Sequence, residues 1–322
     1  MPVRTPHFPD LHFSSAARLR RWEDALMGLL AAHGYRELHP SLVLREPAPE
    51  GALRFFDGDD LVALRWDFTV ALAGLLAKGF PAPPPRLSYA GAVFRRPAQP
   101  WEAVERFEVG CERIQLEDES SGEADVELAR LLMAIPGVIG LKSAILHLGN
   151  AALVRRPLEA EGLFGDLAKA VVAALSRRAP HRVREVLDGH PAAMRLAAHA
   201  EALLAELDGP GTLDALKTSP YAELLQDERD HMDRALQSLL PILPPNLELR
   251  VDLADVAGLD FYTGPTLRLW APGAQQELAA GGRYDRLFPA LGRPWQAAGF
   301  CVRLSRLLDL AETRPDLFEE VR

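Results

Sequence analysis

Between residues 151 and 240 strand signals stop: alanine and leucine recur at helical spacing, broken only by "AP", "GHP", "GPGT" and "SP". Strand-like segments lie on both sides of this stretch, so any sheet the chain builds must be assembled from two parts separated by a helical excursion. Before it come "RELHPSLVL", "LVALRWD", "PRLSYAGAVFRR", "ERFEVGCERI" and "SAILHLGN"; after the "PILPPN" break come "LELRVDLA", "GPTLRLW" and "QQELAAGG". The third and fourth segments are spaced like neighbouring strands across a loop at 97–104. "APGA" suits a type II turn between two others. Helices are expected at 15–33, with Ser14 or Ser15 as N-cap and Gly34 as stop, at 123–135, ended by Pro136 and Gly137, and over "CVRLSRLLDLAE" near the end. The expectation is an α+β fold: an antiparallel sheet flanked by helices, its first part in residues 1–150, a helical insert at 151–240, and its second part in 241–322.

The remaining numbers exclude several classes. With 322 residues, 48% hydrophobic and 25% charged, the chain can bury one large core or two modest ones. No apolar run approaches the ~20 residues that span a bilayer, and "MPVRTPHFPDLHF" lacks a signal-peptide core, so no membrane association and a cytoplasmic location are expected. The two cysteines, Cys111 and Cys301, sit in apolar settings without CxxC spacing and are expected to be packed thiols. Nine scattered histidines lack the paired spacing of a metal hydrolase, so neither a metal nor another cofactor is expected. A net charge of −9 disfavours a nucleic-acid-binding face.

In chain order, "LRWDFT" (64–69), "FRRP" (94–97), "FEVGCE" (107–112), "GLDFYTG" (258–264), "AGGRYD" (280–285) and "AGFCVRLSRLL" (298–308) resemble the catalytic core of the histidyl-tRNA synthetases. "GLDFYTG" with "GGRYD" is the most specific pair. The resemblance implies a class II aminoacyl-tRNA synthetase-like fold that dimerises through the first helix and the "RELHPSLVL" segment. It also implies a pocket for histidine, in which Asp67 and Glu108 face the amine while Glu112 and Tyr262 face the imidazole. Such a ligand wants carboxylates at one end and a polar partner at the other, and charge-assisted contacts contribute ~1.5–3 kcal/mol each. Glu108 stands where the synthetases usually have glutamine, and with Glu112 and Arg106 it could instead belong to a solvated strand face. Arg95 and Arg306 match the two arginines with which class II enzymes hold ATP phosphates. Arg283 and Tyr284 either line the pocket or pin the sheet.

Three departures bear on function. Ala257 stands where the synthetases carry an arginine that assists amino-acid activation, and loss of one preorganised donor typically costs ~2.7–4 kcal/mol of transition-state stabilisation. Only 16 residues follow Arg306, which leaves no room for the family's anticodon-binding domain. The loop "PAQPWEAVE" has two glutamates and no basic residue, which suits a tRNA backbone poorly, so no tRNA partner is expected. A synthetase-like core with these losses is similar to the regulatory subunits of ATP phosphoribosyltransferase. That resemblance implies a chain with no catalytic residue of its own, a short catalytic subunit as partner, self-association as a dimer within a hetero-octamer, and L-histidine as feedback effector. A shortened enzyme that activates histidine or another amino acid, and a free-standing histidine sensor, are the other readings open to the sequence.

Overall fold

The computed structural model describes residues 10–45, 48–97, 103–116, 121–205 and 209–319. Helix α1 (Phe13–Ala32) opens the chain and leads through the short strands β1 (Arg36–Glu37) and β2 (Val43–Leu44) into a hairpin of β3 (Arg54–Asp57) and β4 (Asp60–Leu64). Then come α2 (Phe68–Gly79), the long strands β5 (Arg86–Phe94) and β6 (Glu105–Leu116), α3 (Ser121–Ile139) and β7 (Ala144–Asn150). Residues of the alanine- and leucine-rich stretch form α4 (Ala152–Ala160), α5 (Gly165–Ser176), α6 (Pro180–Val186), α7 (Ala193–Leu203), a 3-10 segment and α8 (Gln226–Leu239). The chain ends with β8 (Leu247–Asp252), β9 (Pro265–Trp270), β10 (Ala279–Arg283), α9 (Leu287–Ala290), β11 (Trp295–Arg303) and α10 (Leu304–Thr313). No helix among the described residues is long and apolar enough to cross a membrane.

Eight strands form one sheet in the order β1-β5-β6-β11-β10-β9-β7-β8, and β2-β4-β3 form a small second sheet. The interior pairs are antiparallel, as expected, but both edges are parallel: β1 with β5 and β8 with β7. A parallel neighbour needs a long crossover, and the helices between β7 and β8 supply it. Those helices share one apolar cluster with the sheet, which includes Leu146, Leu153, Val183, Leu196, Met232 and Phe300. Arg65 fastens the small sheet to the large one, donating to the carbonyls of Pro40 at 2.7 Å and Ala92 at 2.8 Å.

β5 and β6 pair as the spacing predicts, and the "APGA" turn forms between β9 and β10, with Gly273 at φ +76° and Ala274 N donating to Ala271 O at 3.0 Å. Other expectations need correction. Neither Ser14 nor Ser15 caps α1; His12 precedes it, and Ser15 Oγ donates to Glu312 Oε1 at 2.8 Å. Helix α3 runs through Pro136, because a proline in the last turn forfeits a single backbone bond. Burial of Ile135, Ile139 and Leu141 outweighs that loss, and Trp22 Nε1 donates to the Ile139 carbonyl at 3.1 Å. "CVRLSRLLDLAE" is divided: residues up to Arg303 complete β11, and the helix starts at Leu304. Strand β3 gave no sequence signal because all four of its residues are exposed.

The centre of the sheet depends on one close approach. Glu112 faces Gly299 across β6 and β11, and a Cβ at position 299 would collide with the Glu112 carboxylate and the Cys111 carbonyl. Gly299→Ala is therefore expected to destabilise the protein by about 2–3 kcal/mol, measured by urea unfolding; an unchanged midpoint would mean the two strands can separate freely.

Candidate functional site

Strand alternation divides β6 into two faces. Val109 and Cys111 enter the helix-backed core, whereas Glu108 and Glu112 face the other way, beside Cys301, Gly299 and Arg303 of β11. Asp67 is the N-cap of α2, its Oδ1 accepting from Val70 N at 3.2 Å. Tyr262 comes from the turn before β9 and Tyr284 from the end of β10. Asp67, Glu108, Glu112, Tyr262, Tyr284 and Arg95 all line one cavity of about 250 Å³.

The two carboxylates of β6 are held differently. Glu112 is buried; its Oε1 accepts from Thr69 Oγ1 at 2.6 Å, its Oε2 accepts from the Tyr284 hydroxyl, and Tyr89 supplies a third hydroxyl. Burial pushes its pKa up to about 8, against the lowering effect of these hydroxyls. The carboxyl therefore holds its proton at neutral pH, and hydroxyl neighbours can serve a neutral carboxyl as donors or acceptors. Burial likewise pushes Tyr262 up to about 12. At the other end, Arg95 donates from Nε to the Trp66 carbonyl at 2.5 Å and from Nη2 to Asp67 Oδ2 at 3.0 Å, with Glu108 Oε1 3.6 Å from Nη1. Burial opposes the charge of Arg95, but Glu108 and Asp67 outweigh it and raise its pKa. Two acidic side chains around one guanidinium give that end acceptors suited to a cationic amine.

Two of the expected residues lie elsewhere. Arg283 points to the opposite face of the sheet, where Nη2 meets Asp125 Oδ1 of α3 at 2.9 Å and Nη1 meets Asp285 Oδ1 at 3.3 Å. It pins the sheet while its neighbour Tyr284 lines the pocket. Arg306 sits in the first turn of α10 and binds the Glu277 carbonyl at 2.9 Å and carboxylate at 3.2 Å, outside the pocket. Arg303 lines the pocket instead, paired with Glu277 at 2.5 Å. Reading residues 301–312 as one helix hid this, since only a strand through 303 puts 299, 301 and 303 on one face. The sequence also missed Thr69 and Tyr89, although "LSYAGAV" alternates and places Tyr89 with Leu87 and Val93. Behind the turn, Arg268 donates to Asp255 Oδ2 at 2.8 Å and to the Ala257 carbonyl at 2.5 Å. Much of the "PAQPWEAVE" loop, residues 98–102, lies outside the described residues.

The family model described as histidyl-tRNA synthetase matches residues 7–307. The chain belongs to the histidyl-tRNA synthetase family. Within it, several curated relatives carry the name ATP phosphoribosyltransferase regulatory subunit. One, from Nitrosomonas eutropha, is 30% identical over 94% of this chain and 81% of its own length. Another, from Geobacter metallireducens, is 30% identical over 85% of this chain, which spans 63% of that relative. The chain is a member of this regulatory-subunit family, with the class II synthetase-like fold. An ATP phosphoribosyl transferase complex from Thermotoga maritima contains a chain of the same fold: TM-score 0.69 and 16% identity, covering 91% of this chain and 98% of that one.

The raised pKa of Glu112 gives a signed prediction. Between its ordinary value of 4.5 and about 8, the folded state holds a proton that the unfolded state has released. Its contribution is therefore fully present below pH 4.5 and is lost as pH rises towards 8. Glu112→Gln is expected to flatten this decline, by up to roughly 1.4 kcal/mol per pH unit, in urea unfolding at pH 5, 6.5 and 8. Parallel pH profiles for the two proteins would show that Glu112 is ionised when folded.

Proposed function

We propose that this chain is a non-catalytic regulatory subunit of ATP phosphoribosyltransferase, acting at the first step of histidine biosynthesis. It assembles with a short catalytic subunit, raises that subunit's activity and mediates feedback inhibition by L-histidine bound in the acidic pocket. The observation that carries this reading is a pocket that keeps its amine end and its Glu112–Tyr284–Tyr89–Thr69 cluster while its arginines are spent on internal acids. Arg95 is engaged by Asp67 and Glu108 and Arg303 by Glu277, while Arg306, outside the pocket, pairs with the same Glu277 and position 257 offers no guanidinium. Histidine would place its ammonium group against Asp67 and Glu108 and its imidazole against Glu112 and Tyr262. Among the described residues lining the pocket, both arginines, Arg95 and Arg303, are engaged by acids.

Self-association forms part of the proposal. Leu42, Val43, Phe55, Phe56 and Leu61 are exposed on the small sheet and the segment leading into it, Phe56 at 72%. Phe56 faces Leu61 across β3 and β4 on one side of this sheet, while Phe55 and Val43 stand on the other; paired exposed apolar side chains are an interface signal where scattered single ones are not. The region includes "SLVL", through which the resemblance implies dimerisation. Pairs of this chain with pairs of catalytic subunits would build the hetero-octamer.

Regulation requires histidine to bind the active and inhibited assemblies unequally; a coupling of ~1–3 kcal/mol changes turnover 5- to 150-fold. The test is the rate of phosphoribosyl-ATP formation by a purified short catalytic subunit with and without this chain. Stimulation of about tenfold or more, suppressed by histidine, is expected. Glu112→Ala and Tyr262→Ala should keep the stimulation and lose the suppression. Absence of stimulation by a folded chain overturns the reading, and histidine-dependent exchange of pyrophosphate into ATP would assign an amino-acid-activating enzyme instead.

A further inference from the structure

A second cavity, of about 530 Å³, lies where α4 and α5 face the turn after β8. Leu158, Leu163, Val172, Val256 and Leu259 form its apolar lining. One end is cationic. Arg155 and Arg286 both approach Glu159 Oε1, at 3.6 and 2.7 Å, so one carboxylate serves two guanidinium groups. Arg155 spends Nη2 on the Thr263 carbonyl, and its Nε, shut off from solvent, has no hydrogen-bond partner. Burial lowers the pKa of Arg155, and the neighbouring Arg286 lowers it further. Lys169 of α5 and Asp260 of the turn also line the cavity, leaving it net positive on a chain whose overall charge is −9.

The position that carries an arginine in the synthetases, here Ala257, lines this cavity. Alanine keeps the space open and adds no further cation to an end already short of negative charge. The cavity is large enough for a small molecule. Its chemistry is the reverse of the acidic pocket on the other side of the turn.

We propose that this cavity is a second ligand site, for a small organic anion whose apolar body carries one carboxylate or phosphate. The apolar lining takes the body, and Arg155 and Arg286 take the anion by charge-assisted hydrogen bonds, for which the guanidinium fork is suited. The site does not depend on histidine binding in the acidic pocket.

The probe is 8-anilinonaphthalene-1-sulfonate, an apolar body with one anionic group, titrated by fluorescence into the purified full chain. Saturable binding at one site per chain is expected, weakened about tenfold or more by Arg286→Glu, abolished by Ala173→Trp, which fills the cavity, and retained by Glu112→Ala in the other pocket. Melting temperatures confirm that each variant is folded; if Ala173→Trp fails to fold, Arg286→Glu decides. Displacement with 1-naphthoate, 1-naphthyl phosphate and neutral 1-naphthalenemethanol should rank the alcohol last by a similar factor, and the better of the two acids identifies the anion. Equal displacement by the alcohol, no saturable binding, or an unchanged affinity in Arg286→Glu would overturn the proposal.

Discussion

The pairing of β11 with β6 fixes the centre of the sheet and the floor of the acidic cavity. It runs from Trp295 opposite Leu116 to Arg303 opposite Glu108 and joins parts of the chain that lie on either side of the helical stretch. Its register also decides the chemistry. A slip of one residue would turn Glu108 and Glu112 into the apolar core and expose Val109 and Cys111 to the cavity. The glycine at 299 favours that register, because a Cβ there would collide with the buried Glu112 carboxyl across the neighbouring strand. Contacts so far apart in sequence carry a loop-closure cost before they return any stabilisation. The shared apolar cluster of sheet and insert supplies it.

Electrostatically the acidic pocket solves two problems in different ways. Burying an ion without a partner is costly, and at Glu112 the protein avoids the cost by keeping the group neutral among hydroxyls. At Asp67 and Glu108 it places Arg95 between the two acids. Around Arg95 the acids outnumber the bases, and the other arginine of the lining, Arg303, is drawn off by Glu277. The end lined by Glu112 and Tyr262 presents hydrogen-bonding groups without ionic demand, so a ligand with one cation and one polar ring matches both ends.

Much of this was legible in the sequence where periodicity and burial agree. Strands β5, β6, β7 and β9 announce themselves because one face is apolar, and Asp67, Glu108, Glu112, Tyr262, Tyr284 and Arg95 meet in one cavity as the quoted segments imply. Three kinds of information stayed hidden. Parallel edges depend on where distant segments dock, which no local pattern records. The middle of strand β11 is small, Ala297, Ala298 and Gly299, where its neighbours approach closely, so it lacks the bulky alternation that marks a strand. Arg283 and Arg306 were placed by segment, whereas pleat direction and a helix start at 304 decide where they point.

The turn at 257–262 separates the two cavities. Ala257 to Asp260 line the cationic one, and Phe261 with Tyr262 line the acidic one. Phe261 N and Tyr262 N both donate to the Gly258 carbonyl, at 2.9 and 2.8 Å, and the Tyr262 ring packs where a side chain at 258 would stand. The segment therefore behaves as one stiff piece with two working surfaces. A substitution in this segment thus alters the walls of both cavities at once.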